Sequence, residues 1–221
     1  MEGETRLYIV LICSLCFILI VSLRHHCEEI NNGEYSNYRC KWIHWKFYCR
    51  RGTETKVWCV GGNRSSSSKQ YLKNRKIHFL ELDFAHPNEL RAQLSGHKGT
   101  YNKFDYIIHC AGVTKCSDKK TFDYVNYLQT KYFVDTLKAL NMVPKQFIYI
   151  STLSVFGPVR EKDYSPISAD DSPMPNTAYG FSKLKAELYI QSIPGFPYVI
   201  YRPTGVYGPR EMDYFLTVSY T

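Results

Sequence analysis

Apolar and polar positions along this chain sort into short apolar runs and longer amphipathic stretches, and they do so in alternation. Residues 104–109 (Phe-Asp-Tyr-Ile-Ile-His) predict a buried strand running into Cys110-Ala111-Gly112, a small-residue turn where backbone can approach a flat ligand. Residues 119–140 place Phe122, Val125, Leu128, Tyr132, Phe133, Thr136, Leu137 and Leu140 at mostly three- and four-residue steps, which predicts a helix with Asn141 as its stop. Residues 146–151 predict the next strand, 177–193 the next helix and 198–202 a further strand. Strand and helix in alternation imply an α/β fold, a parallel sheet with helical crossovers. In such sheets ligands bind at the carboxyl ends of the strands, where the neighbourhoods of Cys110, Thr152 and Pro203 fall.

The start of the chain carries a different pattern. Residues 7–23 contain no charge, and that length sits at the short edge of a membrane span. No small-residue cleavage site follows, and Arg24-His25-His26 comes instead, so the segment reads as a single-pass anchor rather than a cleaved signal. Basic residues are denser after it than before it, which puts the rest of the chain on the cytoplasmic side. The competing reading is that residues 1–31 translate DNA upstream of the true start.

Chemistry concentrates in the second half. Tyr179 and Lys183 lie four residues apart, so on a helix they share a face, and an ammonium beside a phenol favours the phenolate. A phenol with an ordinary pKa of about 10 then becomes a proton acceptor near neutral pH. Thr152, at the end of the 146–151 strand, offers a hydroxyl to hold a substrate oxygen while a hydride moves to or from a nicotinamide.

With these residues in this order, residues 77–210 resemble the extended short-chain dehydrogenase/reductases, specifically the NAD-dependent epimerase/dehydratase group. The resemblance implies a Rossmann-like doubly wound sheet and NAD or NADP as cofactor. It implies Thr152, Tyr179 and Lys183 as catalytic residues. It places Asp83 and Phe84 at the adenine, Cys110, Ala111 and Gly112 along the ribose and diphosphate, and Asn126 and Ser151 near the cofactor. It also sets Tyr179 and Lys183 among the cofactor-binding residues, and matches Pro203 to Pro209 to the segment that closes over the nicotinamide side. Arg64, just past the expected second strand, either pairs with a 2′-phosphate or is an exposed loop residue. The substrate implied is a secondary alcohol or ketone, with a nucleotide sugar as one form. Gly205 stands where sugar-nucleotide enzymes often carry an asparagine, and the Arg202-to-Pro209 segment looks as much like hydroxysteroid dehydrogenases and flavanol reductases. A catalytically dead remnant or a membrane-anchored binding protein is the reading from another class. Relatives often pair through a two-helix face, which implies a homodimer. They also continue into a smaller substrate-binding part, so the domain at 65–221 is expected to be truncated.

Against the resemblance stands residues 32–64, where no glycine-rich turn of the kind that admits a pyrophosphate is encoded. Gly61-Gly62 precedes Asn63-Arg64 and four serines and reads as a polar loop. All three Trp (Trp42, Trp45, Trp58) and six of the eight Cys lie in the first 59 residues. A shift of reading frame explains this. Trp has the single codon TGG, so Trp42 and Trp45 become glycines when read one nucleotide later, and Arg39 does too if its codon is CGG. The shifted stretch can encode a start methionine, a first strand, a Gly-x-x-Gly-x-x-Gly turn and a helix. The expectation is then a sheet lacking its first strand and a chain that binds NAD(P) weakly. The alternative is a genuine Cys- and aromatic-rich segment, but Cys40, Cys49 and Cys59 with His44 lack the paired spacing of a zinc site, and no metal is expected. The formal charge of +8 is scattered without a basic stripe, so no nucleic-acid partner is expected. Cys110 and Cys116 fit a reducing compartment.

Overall fold

A computed structural model of the chain describes residues 8–12, 58–63, 78–101, 104–158, 165–168 and 170–205. Six strands form one parallel sheet: β1 (Tyr8–Ile12), β2 (Trp58–Asn63), β3 (His78–Glu81), β4 (Tyr106–His109), β5 (Gln146–Ile150) and β6 (Tyr198–Tyr201). Their order, β3-β2-β1-β4-β5-β6, reverses direction between β1 and β4. The expected Rossmann-like doubly wound sheet is present, with its switch point at the carboxyl ends of β1 and β4.

Two expectations about the sheet are corrected here. Its first strand is not missing, because Tyr8–Ile12 lies between β2 and β4, with Val10 registered on both Val60 and Ile107. Five residues of the 7–23 run are therefore strand and not membrane-spanning helix, and residues 13–23 lie outside the described residues. Among the described residues no helix is long and apolar enough to cross a membrane. The second correction concerns Gly61-Gly62, which is no polar loop. Both glycines are buried within β2, paired with Leu11 and Ile12 on one side and Phe79 and Leu80 on the other. Of the segment 32–64 read as frame-shifted, residues 58–63 are described and form β2, while 32–57 and Arg64 lie outside the described residues.

The crossovers after β3, β4 and β5 are helical. Helix α1 (Pro87–Tyr101) follows β3. After β4 comes one rod made of α2 (Lys119–Phe122), a π-helical turn (Asp123–Leu128) and α3 (Gln129–Ala139). Asp118 caps its start by accepting from Lys120 N at 3.0 Å. Asn141, the expected stop, has φ 55, and Met142 N donates to Leu137 O at 2.8 Å, the 6→1 bond of a Schellman ending. Helix α4 (Ala178–Gln191) follows β5, capped by Thr177, whose hydroxyl accepts from Gly180 N at 3.0 Å. The core lies between these helices and the sheet and is built on Leu80, Leu94, Ile107, Phe133, Leu137, Phe147 and Ile190.

Candidate active site

Strand β5 delivers Ser151 and Thr152 to the carboxyl edge of the sheet. Ser151 N donates to Tyr201 O (2.7 Å) and Leu153 N to Pro203 O (2.8 Å), so the ladder between β5 and β6 is prolonged past both strands. Thr152 is extended and caps a 3-10 turn, Leu153–Phe156. Its hydroxyl accepts from Ser154 N (3.2 Å) and donates to Ser154 Oγ (3.2 Å). The Ser151 hydroxyl is buried with no hydrogen-bond partner.

The first two turns of α4 bring Tyr179 and Lys183 to the same edge. Lys183 is 4% exposed, its Nζ donates to Ile150 O at 2.7 Å, and it sits 4.6 Å above the centre of the Tyr149 ring. Burial draws its pKa down to about 8, against the raising pull of Cys110 and Glu187, so the ammonium is mostly retained at neutral pH. Tyr179 is half-buried beside Phe122, with ring centres 6.0 Å apart. Burial first, and then the charge of Tyr179, raise the Tyr149 hydroxyl well above its ordinary value.

The turn after β4 closes the other side. A Cβ on Gly112 would stand 2.8 Å from Asn126 Oδ1 and 3.6 Å from Lys183 Nζ, so this position admits only glycine without a shift. The missing side chain lets the turn after β4 pack directly on the Asn126 amide beside the buried Lys183, and a lysine ammonium next to a bare backbone turn is a donor set that fits a ribose. Burial pushes the Cys110 thiol up to about 12 despite the Lys183 ammonium, which leaves it an unreactive thiol.

Asn126, expected near the cofactor, has its amide bonded within the protein. It is fully buried in the π-helical turn; Oδ1 accepts from Val113 N (2.8 Å), and Nδ2 donates to Val113 O (3.1 Å) and Ser182 Oγ (3.0 Å). Ser182 Oγ in turn donates to Tyr179 O at 2.7 Å. The amide of Asn126 thus fastens the β4 turn to the helix that carries Tyr179. Beneath it, Thr130 Oγ1 donates to Asn126 O (2.8 Å), which leaves His109 Nε2 as donor to that hydroxyl (2.9 Å). Burial pushes His109 down to about 3, with Lys183 adding to the effect, so the imidazole is neutral.

At the distal end of the site, Asp83 accepts from Ala85 N (2.9 Å) and pairs with His86 Nδ1 (2.9 Å), a bond that holds its carboxyl below the usual range. The Phe84 side chain is not at the surface. It is 3% exposed, its ring centre 5.3 Å from that of Phe133. Any contact of Phe84 with a ligand must therefore come through backbone. Residue spacing pointed to Tyr179, Lys183 and Thr152 but missed Ser154 and Ser182, polar side chains with no periodicity to mark them.

A model of the NAD dependent epimerase/dehydratase family matches residues 46–218. The chain belongs to this family. Human dTDP-D-glucose 4,6-dehydratase is 33% identical over 117 residues, which make up 49% of this chain and 32% of that protein. The chain thus aligns with about a third of the length of this curated relative. Among solved structures of the epimerase/dehydratase fold, RMD from Pseudomonas aeruginosa complexed with NADPH is 28% identical with a TM-score of 0.54, covering 65% of this chain and 49% of that one. UDP-glucose 4-epimerase from Thermotoga maritima, solved with UDP-glucose, has a TM-score of 0.67 at 18% identity, covering 93% and 58%, a likeness of fold.

Proposed function

We propose that this chain binds a nicotinamide dinucleotide and moves a hydride between it and a secondary alcohol or ketone, with a nucleotide sugar as substrate. The observation that carries this reading is Lys183, buried and held by Ile150 O beside the glycine-only position at 112 and four residues from Tyr179 on one helix face. The nicotinamide, when bound, supplies the hydride acceptor or donor. Tyr179 moves the hydroxyl proton, its phenolate favoured by the Lys183 ammonium. Thr152 exchanges its bond to Ser154 for one to the substrate oxygen. Lys183 holds the nicotinamide ribose. Asp83 faces the adenine end, and Pro203 stands at the nicotinamide end.

The nucleotide-sugar assignment rests on the identity to dTDP-D-glucose 4,6-dehydratase. One observation favours a reductase acting on another ketone. Gly205 stands where sugar-nucleotide relatives often carry an asparagine, and among the described residues a Cβ there meets nothing within 4 Å.

No glycine lies between Gly3 and Gly33, so the sequence directly after Tyr8–Ile12 carries no glycine-rich pyrophosphate motif. Dinucleotide affinity is therefore expected to be modest. Fluorescence titration with NADH and NADPH tests the proposal. Saturable binding of at least one is expected, unchanged in Tyr179→Phe, with turnover abolished in that variant. Lys183→Ala should weaken both binding and rate. Absence of binding at millimolar dinucleotide, or turnover above a few percent in Tyr179→Phe, overturns it.

A further inference from the structure

Glu187 lies four residues beyond Lys183 on α4, is 0% exposed, and ends in no solvent-facing position. Its carboxylate accepts from Arg202 Nη2 at 2.7 Å and from Arg202 Nε at 3.1 and 3.2 Å. The guanidinium stacks 4.8 Å above the Phe156 ring, the last residue of the turn that Thr152 caps. The same turn meets α4 directly at its other end, where a Cβ on Gly180 would lie 2.6 Å from Ser154 O. Three elements thus converge on one ion pair: the helix of Tyr179 and Lys183, the end of β6 leading to Pro203, and the turn of Thr152.

We propose that the Glu187–Arg202 pair is a positioning device that fixes the Thr152 hydroxyl relative to Tyr179 and Lys183, and this inference rests on the hydride-transfer reading of the site. Neither residue touches the reacting atoms. A buried ion pair is a poor source of stability, since apolar residues of similar volume often serve as well or better. What it supplies is direction. The planar fork of arginine constrains two carboxylate oxygens and one ring face together, and a lysine in its place would act as a point charge. A shift of about 1 Å in a reacting group costs about a hundredfold in rate. The Glu187 carboxylate has a second effect, because its charge acts on Lys183 four residues away on the same helix. Around Lys183 stand Cys110 and His109 at the end of β4, Tyr149 and the Ile150 carbonyl on β5, and Glu187 on its own helix. Cys110 and Glu187 both pull the Lys183 value up against burial, and Glu187 is the carboxylate that also holds Arg202.

The test uses the full chain with three changes, Arg202→Lys, Glu187→Gln and the double Glu187→Met/Arg202→Leu. The double variant is expected to melt near the parent while kcat stays down by about tenfold to a hundredfold, with NADH affinity within about twofold. A double variant that melts like the parent and also turns over like it would reduce the pair to a structural contact. Arg202→Lys keeps the charge, and full activity in it likewise overturns the proposal. Two NMR readouts need no turnover. Glu187→Gln should lower the Lys183 Cε titration midpoint, and Arg202→Lys should shift the Thr152 methyl resonance. If the parent binds no dinucleotide, the function proposed above fails while these readouts still decide the pair: unmoved signals in both variants overturn it.

Discussion

Two buried bases titrate far from their ordinary values, and they bear on stability in separate pH windows. Lys183 is lowered to about 8 in the fold, so the unfolded chain binds the proton more tightly between about 8 and 10.5. Folding therefore gains as pH rises through that window, and the gain is absent below about 8. The stability difference between the parent and Lys183→Met should shift towards the parent from pH 8 to 10.5, by up to about 3 kcal/mol. Denaturant melts across that range check it, and a flat difference would mean that Lys183 is not desolvated. His109 is lowered to about 3, so its contribution is complete above about 6.5 and is lost as pH falls towards 3. His109→Phe should remove that acid-side loss, since the ring already stacks between Phe133 (5.6 Å) and Tyr149 (5.9 Å). At this scale the proposed reactive side chains stand out in the sequence because a phenol and an amine at helical spacing leave a pattern. The burial of the Asn126 and Phe84 side chains was not legible, because sequence shows a residue's type and place but not which atoms its neighbours already occupy.

The helical rod after β4 shows what periodicity can and cannot reveal about an element. Its start, its stop at Asn141 and the burial of Phe133, Thr136 and Leu137 follow from apolar spacing. The π-helical turn does not. One extra residue per turn rotates the inward face onto Asn126 and Thr130, both fully buried, while Val125 and Leu128 remain only half-buried. Polar residues on an inward face look like a solvated stripe in sequence, and only their partners reveal them. The turn after β4 depends on this face. Gly112→Ala would press a Cβ against Asn126 Oδ1 and push it towards Lys183. The expected outcome is a loss of about 1–3 kcal/mol from overpacking together with weaker NADH binding, measured by thermal melts and fluorescence titration. Unchanged binding would separate the turn from the cofactor site.

For the whole molecule, the doubly wound order was legible from 104 onward because each strand there is bracketed by a turn and an amphipathic helix. The first strand was not. A buried parallel strand is a continuous apolar run, which periodicity cannot tell from a stretch of membrane helix, and residues 7–23 are long enough for either. The fold decides by placing Tyr8–Ile12 between β2 and β4, the one position from which both halves of the sheet are held. That assignment has a sharp consequence. A proline at Val10 removes a backbone donor from a strand paired on both sides, a substitution tolerated only at sheet edges. Val10→Pro should therefore abolish cooperative unfolding or lower the melting temperature by 10 °C or more, on the scale where about 1 kcal/mol moves a domain of this size by roughly 2–4 °C. Dinucleotide binding should fall with it, because the switch point lies at the carboxyl end of this strand. Circular dichroism melts of the parent and the variant give the answer. An unchanged melting temperature would show that residues 1–31 take no part in the fold, and would return the centre of the sheet to the segment between 32 and 57.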